Sequence, residues 1–241
     1  MQKSTSLNYL LVFTTFTLSY GNNTPDLVTH VQKSIQAAEI SNSKLDSEIL
    51  GIYGYSSSKV RHFLNNLCSL PGARYLEIGV WKGSTFISAL YNNTDTICDA
   101  IAIDQWFDAQ IPLLNNEKES FIANTAKFLP SKSFKLFEQD AFAITPEDIC
   151  SPASINIYFY DGDHSEKAQY QAFVHYDKIL AHKFIAIVDD WNWLRVQQGT
   201  KRAFSDLKYK IIFEIELPSN GNCDTANWWN GLYVAIIEKT N

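Results

Sequence analysis

The chain reads as an α/β protein, a mostly parallel sheet with helices packed between its strands. Three observations predict this. Short apolar runs alternate with helical stretches at the spacing of βαβ crossovers. The last two apolar runs are joined by a polar loop with no helical pattern, which marks an antiparallel pair at one edge. The 241 residues, 46% hydrophobic and 14% aromatic, suffice for the core of one α/β domain with an N-terminal extension.

The N-terminal stretch MQKSTSLNYLLVFTTFTLSYGNN carries Lys3, an apolar run from Leu7 to Leu18, and Ser19 and Gly21 spaced as in a signal-peptidase site. Residues 1–21 are therefore read as a secretory signal or as an extension packed on the domain. The run is shorter than the ~20 residues a membrane span needs, so no span is expected in the mature chain. A secretory signal would imply export to the periplasm or beyond.

Residues 22–70 are read as N-terminal helices and residues 71–241 as the main domain. Thr24-Pro25 reads as an N-cap and first-turn proline for a helix in which Val28, Val31, Ile35 and Ala38 recur at helical spacing. Ser41 to Glu48 reads as a polar linker, and Ser56 as the cap of a helix with Val60, Phe63, Leu64 and Leu67 on one face. Then come the strand candidates ARYLEIGV, DAIAIDQW, SFKLFEQDA, INIYFYDG and FIAIVDDW, with helices such as Asn116 to Leu129 and Ser165 to Ala181 between them. KYKIIFEIEL and NGLYVAIIEK form the expected antiparallel pair.

A formal charge of −6 and a pI near 5.3 remove any sequence-independent attraction to nucleic acid or an anionic membrane. A small or neutral partner fits better. Cys68, Cys98, Cys150 and Cys223 form no C-x-x-C pair, so they read as buried free thiols rather than zinc ligands or a redox couple.

In an open parallel sheet, ligands bind outside the carboxyl ends of the strands. Here each of five strand ends carries an acid: Glu77, Asp104, Asp140, Asp161 and the pair Asp189-Asp190. Singly, each would pass as a loop carboxylate or helix cap. Together they favour a ligand with several hydroxyl and amine groups. At the first end, Gly79 and Gly83 let backbone approach a ligand. The spacing matches neither a dinucleotide fingerprint nor a triphosphate loop, and Glu77 argues for a ligand with a cationic group.

The segment YLEIGVWKGST resembles motif I of class I S-adenosylmethionine-dependent methyltransferases, the metal-dependent O-methyltransferases in particular. YDGDHSEKAQYQAF and IAIVDDWNW resemble the D-G-x-H and V-D-D-W segments of the methyltransferase-24 and macrocin O-methyltransferase-like families. The resemblance spans roughly Arg74 to Leu217. It implies a Rossmann-like seven-stranded sheet of order 3-2-1-4-5-7-6 with the last strand reversed and helices on both faces. It also implies S-adenosylmethionine as cofactor, which favours the cytoplasm, where that cofactor is made, over export.

Carried over, the resemblance gives Glu77, Gly79, Gly83 and Ser84 to the methionine part of the cofactor. It gives Asp104 to the ribose hydroxyls, and Asp140 and Ala141 to the adenine. Trp106 or Phe107 could cover the ring. Asp161, Asp189 and Asp190, on neighbouring strand ends, would repel one another unless a divalent cation joined them, and an all-oxygen set suits Mg²⁺ best. Such an ion would orient a substrate hydroxyl and lower its pKa. Asp161 and His164 are the expected catalytic residues, His164 as general base or as loop structure. Asp163 is expected to cap the following helix, and Trp191, Asn192, Trp193 and Arg195 to lie near substrate. The expected reaction is O-methylation of a small molecule or glycan, with an exported or non-catalytic binding protein of the same fold as the alternative.

Overall fold

The computed structural model describes residues 26–93, 95–106, 116–131 and 134–240. The stretch read as a signal, the proposed Thr24-Pro25 cap and Phe107 lie outside them. Seven strands form one sheet in the order β3-β2-β1-β4-β5-β7-β6. They are β1 (Ala73–Ile78), β2 (Ile97–Asp104), β3 (Lys135–Glu138), β4 (Ile155–Tyr160), β5 (Leu180–Val188), β6 (Lys210–Leu217) and β7 (Leu232–Glu238). The first five run parallel, and β7 pairs antiparallel with both β5 and β6. The sequence-based strand order and reversed last strand are borne out.

Eight helices occur among the described residues: α1 (Leu27–Glu39), α2 (Ser47–Leu50), α3 (Ser58–Leu67), α4 (Ser84–Leu90), α5 (Glu117–Phe128), α6 (Pro146–Ile149), α7 (Glu166–Tyr176) and α8 (Leu194–Asp206). One apolar core joins α1, α3, α4 and Phe121 of α5 to one sheet face through Tyr75, Ala102, Ile157 and Val234. The other joins α7 and α8 to the opposite face through Leu76, Ile101, Tyr158 and Ala235. A sheet covered on both sides needs apolar side chains on both, which is why β4 and β5 read as continuous hydrophobic runs rather than alternating ones.

Several local boundaries differ from the sequence reading. The cap of α1 is Asp26, whose carboxylate accepts from the Thr29 amide at 3.3 Å. Ser57, one residue after Ser56, caps α3 through the Val60 amide at 3.2 Å. The stretch read as a linker ends in α2, nucleated by Asp46 accepting from the Glu48 and Ile49 amides. Helix α7 stops at Tyr176, because Leu180 already pairs with Ile155 as β5 begins. Two of the four thiols, Cys98 and Cys223, are exposed rather than buried. The cap differences are shifts of one or two residues, where neighbouring polar residues offer equivalent caps and only packing chooses.

The N-terminal helices are anchored by Arg61, which is 4% exposed. Its guanidinium donates to the carbonyls of Ile49, Leu50 and Ile52 and to Ser88 Oγ at 2.9 Å, so a buried cation holds the 49–52 turn onto α4, with no carboxylate partner among the described residues. Burial lowers its pKa to about 10, still charged at neutral pH.

Candidate functional site

The chain reverses its direction of travel across the sheet between β1 and β4, and ligands bind at such a switch point. A cavity of about 1290 Å³ opens there, lined by the ends of β1, β2, β4 and β5. Its volume exceeds the ~300–1,000 Å³ usual for one small ligand, which leaves space for two side by side.

The two strand exits at the centre touch through backbone. Gly79 sits at φ +88°, and a Cβ placed on it would lie 1.9 Å from the Asp161 carbonyl oxygen. Only glycine allows β1 to leave the sheet against β4 in this way. Gly83, at φ +85°, is tight for a different reason, since a Cβ there would press on Phe121 and Ile87. Gly83 is absent from the cavity wall, whereas Gly79 and Ser84 are part of it.

Glu77 is fully buried beneath the cavity rather than in its lining. Its two carboxyl oxygens accept from Tyr75 Oη and Thr85 Oγ1, each at 2.5 Å. Burial raises its pKa to about 8, only partly countered by those two hydroxyls. Thr85 does line the cavity, so Glu77 reaches the site through that hydroxyl.

Asp104 ends β2 on the cavity wall, and burial raises its carboxyl above the usual range. Its Oδ2 accepts from the Trp81 amide at 2.8 Å and its Oδ1 from the Trp106 amide at 2.7 Å. The Val80 and Gln105 amides also face this carboxylate. The indole of Trp106 also donates to the Trp81 carbonyl at 2.8 Å, so Trp81 is held by both backbone groups in a left-handed conformation, φ +43°. Tyr55 stacks on its ring at 4.4 Å. Asp140 and Ala141 lie on the wall, Asp140 holding a short turn by accepting from the Phe142 amide.

Beside these, the ends of β4 and β5 carry an acidic cluster. One ligand atom each of Asp161, His164 and Asp190 lies within 4.8 Å of the others. Asp189 is outside that trio. It lines the cavity, is 3% exposed, and its Oδ1 has no hydrogen-bond partner among the described residues, while the carboxyl also faces Asp161. Burial, then the neighbouring carboxylates, pushes both Asp161 and Asp189 well above the ordinary carboxylate range. His164 Nε2 lies 2.5 Å from Asp190 Oδ2, and the edge of its ring meets Trp193. Asp163 does not cap α7. Ser165 does, and Asp163 accepts from the Ser165 amide at 2.6 Å to shape the turn before it.

Of the flanking residues, Trp193 and Arg195 line the cavity, whereas Trp191 is buried against Tyr233 and Asn192 is bonded to Ser219. Tyr55, Glu117, Asn222, Cys223, Trp229 and Asn230 complete the wall, and the sequence reading named none of them as site residues. Their segments carry turn and cap signals only, and proximity to the strand ends is a tertiary property.

No protein-family profile matches the chain, and no curated protein does. Solved structures do. An O-methyltransferase from Bacillus cereus, in complex with SAH, superposes with a TM-score of 0.54 at 13% identity, covering 87% of this chain and 91% of its own. The O-methyltransferase TomG from Streptomyces achromogenes, in complex with SAM, gives 0.53 at 16% identity over 87% of this chain and 89% of its own. A Pyrococcus horikoshii protein named as an RNA methyltransferase gives 0.54 at 12% identity over 88% of this chain and all of its own. The fold of this chain is thus the Rossmann-like fold of S-adenosylmethionine-dependent methyltransferases.

Proposed function

We propose that the protein is an S-adenosylmethionine-dependent methyltransferase that needs a divalent cation and methylates a hydroxyl of a small molecule or sugar. The observation that carries this is the convergence of Asp161, His164 and Asp190 beside Asp104 at the switch point of a methyltransferase fold. What S-adenosylmethionine supplies when bound is an electrophilic methyl group. What a divalent cation supplies is a Lewis acid that lowers the pKa of a hydroxyl it holds.

The residues present fit both groups. Asp104, held by backbone amides at the β2 end of the cavity wall, would be the carboxylate nearest the ribose hydroxyls. Ile78, Val80, Ile103, Ala141 and Phe142 offer apolar surface for a purine next to Asp140. Gly79, Ser84 and the Glu77-bound Thr85 would face the methionine part. The buried Oδ1 of Asp189, without a hydrogen-bond partner among the described residues and beside two further carboxylates, is the arrangement a hard cation relieves. Asp161, Asp190 and His164 would hold the ion, with Asp189 beside them on the cavity wall; carboxylates alone suit Mg²⁺, and the added imidazole favours Mn²⁺. In that role His164 is a ligand. With the ion absent from its shell it becomes the general base. The acidic wall and the net charge of −6 favour a small acceptor over the nucleic acid named for one structural neighbour.

The test is calorimetry with S-adenosylhomocysteine and Mn²⁺. Asp104→Ala is expected to lose about 2–3 kcal/mol of nucleoside binding, and Asp161→Asn to lose Mn²⁺ while keeping the nucleoside. Unchanged nucleoside affinity in Asp104→Ala would place the ribose elsewhere. Methyl transfer that persists in EDTA with a saturating acceptor would remove the cation from the reaction.

A further inference from the structure

The geometry points to Asn230 as a positioning residue that sets the orientation of the Asp190 carboxylate for cation binding. This rests on the proposed cation site and extends it to a part of the chain that the strand-end reading did not reach. Asn230 precedes β7 and is 6% exposed. Its Nδ2 donates to Asp190 Oδ1 at 2.5 Å, and Asp190 Oδ2 is left to His164, also at 2.5 Å. One carboxylate oxygen is thus occupied by a neutral donor and the other is turned towards the trio.

The direction of the Asn230 amide is chemically determined. Its Oδ1 accepts from the Cys223 backbone amide at 2.6 Å. A backbone N–H can only donate, so Oδ1 must face Cys223 and the NH₂ must face Asp190. The backbone is held as firmly. Asn192 donates its amide to the Asn230 carbonyl at 2.9 Å, and Trp191 donates to the Gly231 carbonyl at 3.0 Å. Gly231 sits at φ +90°, with no room for a Cβ beside Asn192. Asp190 itself lies in the left-handed region at φ +57°, where its side chain leaves the β5 exit at an angle an extended residue would not adopt.

A carboxylate in a cluster of like charges has every reason to rotate away. Asn230 removes that freedom with an uncharged donor, so Asp190 is presented through one oxygen. Groups that orient a metal ligand in this way commonly change metal affinity 10–100-fold when removed. A purely structural Asn230 would instead secure the 223–231 loop and leave cation affinity unchanged in a folded variant.

The experiment compares wild type with Asn230→Leu, which is close in size and has no polar atom. Mn²⁺ affinity is read by electron paramagnetic resonance and nucleoside affinity by calorimetry with S-adenosylhomocysteine. The expected result is at least a tenfold loss of Mn²⁺ affinity with nucleoside affinity within about twofold. Unchanged Mn²⁺ affinity in the folded variant overturns the inference and leaves the cation site standing. Absence of Mn²⁺ binding in wild type overturns the cation site, and the inference with it. Should Asn230→Leu fail to fold, the wild-type protein decides: its Asn230 side-chain amide resonance is expected to shift on adding Mg²⁺, and an unmoved resonance overturns the inference.

Discussion

Replacing Glu77 by Gln is expected to stabilise the protein increasingly as pH rises. The carboxyl is sealed beneath the cavity, and its pKa rises from an ordinary 4.5 to about 8 because burial disfavours the anion. The folded state therefore holds a proton that the unfolded state releases between those values. Whatever stability the protonated carboxyl confers is complete below pH 4.5, shrinks as pH rises, and is lost above pH 8. Each pH unit in that window costs the wild type about 1.4 kcal/mol, so the rise to pH 7 costs on the order of 3 kcal/mol. Gln does not titrate, and its amide can still engage the Tyr75 and Thr85 hydroxyls, which rotate to donate or accept. The assay is urea unfolding of both proteins without ligand at pH 5, 6, 7 and 8. The difference between them carries Glu77 together with its coupling to Asp104, Asp161 and Asp189, whose carboxyls it pushes up when ionised and which Gln leaves without that repulsion. A difference that does not vary with pH would show an ordinary pKa and refute the reasoning. Because Glu77 is not on the cavity wall, the variant is also expected to keep nucleoside affinity within a few-fold.

Two further outcomes follow from the site and the chain order. Gly79→Ala puts a Cβ against the Asp161 carbonyl and an alanine at φ +88°. Strain and overpacking together are expected to cost about 3 kcal/mol, lowering Tm by roughly 6–12 °C in a chain of this size, with Mn²⁺ binding lost as Asp161 is displaced. An unchanged Tm would mean the two strand exits separate freely. Deleting residues 1–21 is expected to leave Tm and nucleoside binding nearly unchanged, since the strand-end acids of the proposed cofactor site begin at Glu77, well after them. A large fall in Tm would show that the segment is packed on the domain.

The sequence by itself determined the order of strands and helices and five acidic strand ends. Periodicity, Gly and Pro punctuation and composition are local properties, and a parallel sheet converts them into a topology with few alternatives. The motif resemblance then placed Asp104, Asp140 and Asp161 where the cavity wall has them. Tertiary structure alone decided which of those acids act together. Glu77, one residue of β1 away from the wall, turned inward because alternate strand residues face opposite sides, and Tyr75 and Thr85 close over it. Asp189 and Asp190 are adjacent in sequence and both line the cavity, yet only Asp190, in a left-handed turn, meets His164. Asn230 lies 40 residues from Asp190, and nothing in NWWNG announces a partner. It reaches the site because β7 inserts antiparallel between β5 and β6, which brings the start of β7 beside the end of β5. That is a pairing in space, set by burial of both sheet faces, and no local pattern encodes it.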